Sequence, residues 1–125
     1  AYLYRVKSQY DSALHYYRKV KSYRDKHYVS PSPEKGYTYY RYASLLKELN
    51  KTDSGIFYIQ KALAEISKPV IDQSFFVNPS SDDFIDKSSA VEMLCLKGAL
   101  LKEKYGLTKE LNYLNESVVC YDLAN

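Results

Sequence analysis

The sequence predicts an all-α chain, on three observations. Apolar and aromatic residues recur at helical spacing through most of the 125 residues. β-Branched residues are scattered and never sustain the alternation of a strand. The breaks between periodic stretches carry Pro, Gly, Ser, Asp or Asn, the residues that end helices and make turns. Six helical stretches result, in three pairs.

Residues 1–8 read as the tail of one helix. Residues 10–27 read as a second, with Tyr10, Ala13, Leu14, Tyr17, Val20 and Tyr23 on one face. "VSPSPEKG" (29–36) ends it, because two prolines in three residues cannot continue a helix. Ser32 and Pro33 then fit an N-cap and first-turn pair for a third helix through Tyr37, Tyr40, Ala43, Leu46 and Leu49. "NKTDS" (50–54) is a turn, and a fourth helix carries Ile56, Ile59, Leu63 and Ile66 to about Ser67. "KPVIDQSFFVNPSSDDFID" (68–86) is too long for a simple turn and too apolar for a disordered linker. It is expected to be an ordered loop that tucks Phe75 and Phe76 onto the helices. A fifth helix, about 86–105, carries Val91, Leu94, Leu96, Leu100 and Leu101. Gly106 and Thr108 supply a stop and a start. The sixth helix, about 108–123, carries Leu111, Leu114, Val118, Val119 and Tyr121.

The bulk properties fit one modest core. No apolar run approaches the roughly 18 residues of a membrane span, and no signal-peptide pattern opens the chain. With Ala1 already in a helical pattern and no initiator Met, the chain reads as a segment of a longer protein. Cys95 and Cys120 are too far apart for a C-x-x-C motif and read as buried free thiols of a reducing compartment, so a cytoplasmic location is expected. Charge is uneven: residues 1–50 hold ten Lys/Arg against four Asp/Glu, and residues 51–125 hold eight against eleven. The basic excess of the first half is spread out, as on a solvated face. Tyrosine is abundant, with 15 Tyr and no Trp, and twelve of the 15 precede residue 60. Tyr buries a large ring and keeps a polar tip, which suits partly wet helix contacts or an aromatic binding surface.

Helix pairs in series invite a search for a repeat. Tyr39, Tyr42-Ala43 and Leu46 alternate large and small residues on the third helix, and Gly55, Ile59 and Ala62 do so on the fourth. Small residues let two helices cross closely while large ones fill the gaps. Tyr4, Tyr10, Ala13, Tyr17 and Val20 fit a truncated earlier copy. Leu94, Lys97-Gly98 and Leu101 fit a later one that runs about one turn long before Leu114, Val118 and Tyr121. In this pattern the chain resembles tetratricopeptide repeats over nearly all of its length outside 28–36 and 68–86. The resemblance implies an α-solenoid of three antiparallel helix pairs, the first truncated. The whole chain 1–125 is then one domain: a partial repeat at 1–27, a second at 33–67, an inter-repeat loop at 68–85 and a divergent third repeat at 86–125.

A narrower resemblance spans 58–121. "YIQKAL", an apolar loop with "NPS", then "AVEMLCLKGALLKEKY" and "LNYLNESVVCYDLA" look like the repeat region that precedes the caspase-like peptidase domain of bacterial CHAT-domain proteins. Asn78-Pro79 and Leu94, Lys97 and Leu100 stand in the matching places. The resemblance implies a regulatory repeat segment whose peptidase, with its Cys–His pair, lies outside this chain. Cys95 and Cys120 are then core residues. The competing reading is the sensor region of a bacterial signalling or transcriptional-regulator protein.

The chemistry-bearing residues do not assemble into a catalytic pattern. His15 and His27 sit in the Tyr-rich second helix, roughly 70 or more residues before either cysteine, and read as helix-surface residues. Asp82, Asp83 and Asp86 could face a hard cation, but no Glu follows at the twelfth position of an EF-hand loop, so capping and helix-dipole compensation account for them. There is no G-x-G-x-x-G, P-loop or H-E-x-x-H. The chain is expected to be non-catalytic, with no cofactor and no bound metal.

In stacked pairs the first helix of each lines a concave groove. That register places Tyr37, Tyr40, Arg41, Ser44 and Lys47 there from the middle repeat. Tyr2 and Arg5 come from the first, and Glu92, Cys95, Ala99 and Lys102 from the last. Arg5, Lys47 and Lys102 recur at one position and form a row of cations flanked by tyrosines, suited to an acidic or aromatic peptide. No Asn falls on a groove position, unlike the carboxylate clamps of co-chaperones. Single-stranded nucleic acid is the weaker candidate partner: Tyr and basic residues mix in 2–47, but Arg-rich and RNP-like runs are missing. The expected work is protein–protein recognition or scaffolding, without a membrane, and the exposed end faces of such an array allow a homodimer.

Overall fold

The computed structural model describes residues 2–29, 32–67 and 87–124, with side chains from 9 onward in the first segment and from 89 onward in the last. The described residues form five helices: α1 (Tyr2–His27), α2 (Pro33–Glu48), α3 (Thr52–Glu65), α4 (Lys87–Thr108) and α5 (Leu111–Ala124). The all-α expectation holds. The loop at 68–86, with Phe75, Phe76 and the Asp82, Asp83 and Asp86 cluster, lies outside the described residues.

The first expected boundary does not exist. Residues 1–8 and 10–27 are not two helices, because α1 runs unbroken for 26 residues. Its Ser8-Gln9-Tyr10 stretch holds neither Pro nor Gly, and such residues cost only tenths of a kcal/mol inside a helix, so nothing stops it. A single helix therefore stands where a truncated pair was expected.

The remaining ends follow local chemistry. Ser32 caps α2: its hydroxyl accepts from the Lys35 N–H and Pro33 fills the first turn. α2 ends in a Schellman turn. The Lys51 N–H returns to the Leu46 carbonyl at 2.9 Å and the Asn50 N–H to that of Lys47 at 3.0 Å. Asn50 takes the left-handed conformation this needs, at φ 60°. α4 corrects the expected stop at Gly106. It continues to Thr108, and Lys109 takes the left-handed turn at φ 62° with its N–H on the Tyr105 carbonyl. A helical glycine costs only about 1 kcal/mol and does not by itself end a helix.

Helices adjacent in sequence pack on one another, and α2 also touches α4. The side chains set the directions. Ser32 at the start of α2 donates its N–H to Glu65 at the end of α3, at 2.9 Å. Thr52 at the start of α3 donates to Glu103 near the end of α4, also at 2.9 Å. Ser117 of α5 donates to the Gly98 carbonyl of α4 at 2.7 Å. Arg24 near the end of α1 donates to the Glu34 carbonyl at the start of α2 at 2.6 Å, and Lys104 near the end of α4 sits 5.0 Å over the Tyr113 ring at the start of α5, so each neighbouring pair is antiparallel. α2 and α4 run parallel, with Tyr40 beside Glu92 and Cys95 at one level and Lys47 beside Glu103 at the next.

Small residues sit at the closest crossings. A methyl on Gly36 would lie 3.2 Å from the Ala62 carbonyl, one on Gly55 would lie 2.9 Å from Leu100, and one on Gly98 would lie 3.0 Å from the Tyr121 ring. The main core joins α2 to α5 through Ala43, Ile59, Leu63, Leu94, Leu101 and Cys120, with others. A second cluster, Leu14 with Tyr42, Leu45 and Leu46, fastens α1 to α2. Several apolar residues expected inside are outside: Val91, Leu111, Val118 and Val119 are all exposed. α5 buries Ser117 and Cys120 instead. It packs on α4 alone among the described helices, so its far side meets solvent.

Candidate protein-interaction groove

The residues expected in one groove divide between two faces of α2. Tyr40 and Lys47 turn toward α4. Tyr40 is half-buried and packs against the main core. Its phenol is held above the usual tyrosine range, by burial first and then by the Glu92 carboxylate, with Arg41 pulling the other way. Lys47 lies 3.8 Å from Glu103, which also accepts from Thr52, so this cation is largely committed within the fold. Glu92, Cys95 and Lys102 are exposed on α4, with Ala99 half-buried among them. Tyr40, Lys47, Glu92, Cys95, Ala99 and Lys102 thus line the seam where α2 and α4 run side by side.

Arg41 turns the other way, toward α1. Its guanidinium sits 5.8 Å over the Tyr37 ring. A hydrogen bond with Tyr17, then the nearby Tyr17 and Tyr37 phenols, hold its pKa above the ordinary arginine value. Tyr17, Arg41, Ser44, Leu45 and Glu48 line a cleft of about 220 Å³ between α1 and α2. Tyr37 is exposed at its upper end. Tyr2 and Arg5 belong to α1, but their side chains lie outside the described residues, so the third member of the cation row is not placed. Tyr17 and Glu48 were missed in the groove register. Tyr17 was assigned to a packing position of the first repeat, and Glu48 follows the last groove position by one residue.

A third feature lies inside. Lys97 is fully buried on α4 near Cys120 of α5. Burial lowers the Lys97 pKa, against smaller opposing effects of Cys120 and Glu116. Burial pushes the Cys120 thiol up to about 11, and the Lys97 ammonium offsets this only in part. Desolvation therefore outweighs the ammonium, and Cys120 is a neutral thiol at pH 7, unsuited to nucleophilic attack. Cys95, expected to be buried, is exposed, because its place on α4 faces the seam and not the core.

Among the described residues, no group of three or more His, Cys, Asp or Glu side chains lies close enough to hold a metal ion. None of the described helices is long and apolar enough to cross a membrane. Comparison with protein-family models, with curated proteins and with solved structures finds no match for this chain.

Proposed function

We propose that this chain is a non-catalytic helical-repeat scaffold of tetratricopeptide type, which recognises a protein or peptide along the seam between α2 and α4. The observation that supports it best is the parallel contact of α2 and α4 with Tyr40 seated between them. First helices of successive pairs meet in this way when antiparallel pairs stack side by side. The small residues Ala43 and Gly55 at one crossing, and Gly98 and Ser117 at the other, serve the same packing. Tyr40 supplies a ring with a polar tip, Lys102 a cation and Glu92 a carboxylate, a mixed lining that fits a peptide better than a nucleic-acid backbone.

In this proposal the chain is the regulatory repeat segment of a larger bacterial protein with a CHAT-type peptidase domain, working in the cytoplasm. That part rests on the sequence resemblance of 58–121 alone. The recognition site is tested by selecting peptides from a displayed random library on the immobilised chain. Binders lost to Tyr40→Ala and Lys102→Glu, and kept by Tyr16→Ala on the far side of α1, support the seam. Binders indifferent to Tyr40 and Lys102 refute it.

A further inference from the structure

The last helix, α5, and the flank of α2 beside α1 each carry exposed side chains; on α2 these are Arg41 and Glu48, with Ser44 half-buried and Leu45 packed against α1. On α5, Asn115, Val118, Val119 and Asp122 share one stripe, and Leu111 extends it by a turn. Leu111, Val118 and Val119 are 64%, 52% and 43% exposed. On the opposite flank, Arg41, Ser44, Leu45 and Glu48 share one stripe of α2 and, with Tyr17, line the α1/α2 cleft. The spacings are reversed images: 41, 44, 45, 48 against 122, 119, 118, 115. That spacing is shared by every helix face and reads the same in both directions, so it permits an antiparallel helix here without selecting one.

The charges agree with that register. Asp122 is the charged member of the α5 stripe, and it would face Arg41, which Tyr37 and Tyr17 already hold in place. Asn115 would face Glu48, to which its amide can donate. Val118 and Val119 would lie over Leu45, Ser44 and the Tyr17 ring. At longer range, α1 carries seven Lys/Arg and two Asp, while α5 carries Glu116 and Asp122 and no Lys or Arg. The two charged side chains of α5 are both acidic, so the basic flank of another copy is a better electrostatic match than a second α5.

We propose that α5 of one copy seats in the α1/α2 cleft of a second copy, with Asp122 on Arg41. The two surfaces differ, so the contact is head-to-tail and leaves one free end of each kind, and assembly does not stop at a dimer.

The test is sedimentation equilibrium of the purified chain from about 1 μM to about 1 mM, the range in which a small interface becomes populated. The expected result is a weight-average mass that climbs through the dimer value without levelling, and less steeply at high salt. Asp122→Arg and Arg41→Asp alone should each weaken association at least about tenfold, and the two together should restore it. Val118→Lys should abolish it. All three side chains are exposed, and an unchanged far-UV spectrum and melting temperature would verify folding of each variant. A constant monomer mass throughout overturns the proposal, as does association that Arg41→Asp leaves unchanged. The second result would mean that α5 pairs with itself or with another face. Asp122→Arg and Val118→Lys lie on α5, away from Tyr40 and Lys102, so their effects separate this contact from the peptide seam.

Discussion

The phenol of Tyr39 donates a hydrogen bond to the carboxylate of Asp25, and this contact ties α1 to the helix pair behind it. The ring of Tyr39 is 4% exposed, while Asp25 stays at the surface and also receives Lys21 at 3.1 Å. One end of the bond is thus fixed by the core and the other is open to titration.

The consequence is an acid-sensitive dock for α1. Burial alone would raise the Asp25 pKa, but hydrogen bonds from Tyr39 and Lys21 together bring it below its ordinary 3.8. A carboxylate whose folded pKa is depressed contributes stability above its unfolded pKa, and that contribution is lost as pH falls through the folded value. Asp25→Asn should therefore cost about 1 kcal/mol at neutral pH, discounted for its exposure, and less near pH 2. Urea denaturation at both pH values measures the difference. An equal cost at both would show that the carboxylate charge plays no part.

The two cysteines should differ sharply in reactivity. Cys95 is exposed, whereas Cys120 is buried with its thiol pushed up to about 11. Titration of the native chain with a thiol reagent at pH 8 should modify one sulfur quickly and the second only in denaturant. Cys95→Ala should remove the fast phase entirely. Rapid modification of Cys120 in the folded chain would contradict the packing of α5 on α4.

At Gly98 the α4/α5 crossing leaves no room for a side chain, because the Tyr121 ring already lies 3.0 to 3.2 Å from where a Cβ would sit. Gly98→Val should destabilise by about 2 kcal/mol through overpacking. Adding Tyr121→Ala should recover part of that loss, since the space it vacates adjoins the new methyls. Thermal melts of the two single variants and the double variant give the coupling. Strict additivity would mean that the two residues do not share this contact.

α3 offers an internal comparison of faces. Ile59 is fully buried and Phe57, two residues away, is 49% exposed. Ile59→Ala should cost about 3 kcal/mol, and Phe57→Ala well under 1 despite the larger ring it removes. Chemical denaturation of both variants checks this. The reverse order would place α3 about half a turn away from its orientation here.

Much of the fold was legible in the residues. Pro31, Pro33 and the capping Ser32 announce the start of α2, and Asn50 announces the turn before α3, because these residues act within one or two turns of chain. The miss at residue 9 and the overreading of Gly106 share a cause. Neither place holds a proline, and a single glycine costs only about 1 kcal/mol, so the helix runs on at both, and α4 ends at the left-handed turn of Lys109. The candidate site was legible only in part. Register placed Tyr37, Tyr40, Arg41, Ser44 and Lys47 in one groove, and of these Tyr40 and Lys47 turn toward α4. Arg41 was assigned to the same groove although it turns to Tyr17, because adjacent residues on a helix are about 100° apart and can face different neighbours.

By itself, the amino-acid order determined that this chain is helical, where most of its helices begin and end, and which small residues permit close crossings. Those properties arise from hydrogen bonds and side-chain contacts a few residues apart along the chain. Only the tertiary structure decided that Lys97 is buried, that Cys95 is exposed, that Val118 and Val119 face outward, and that Arg41 and Lys47 serve different faces of one helix. Burial is a property of what lies across from a residue, and across from these residues lie helices tens of positions away, or none.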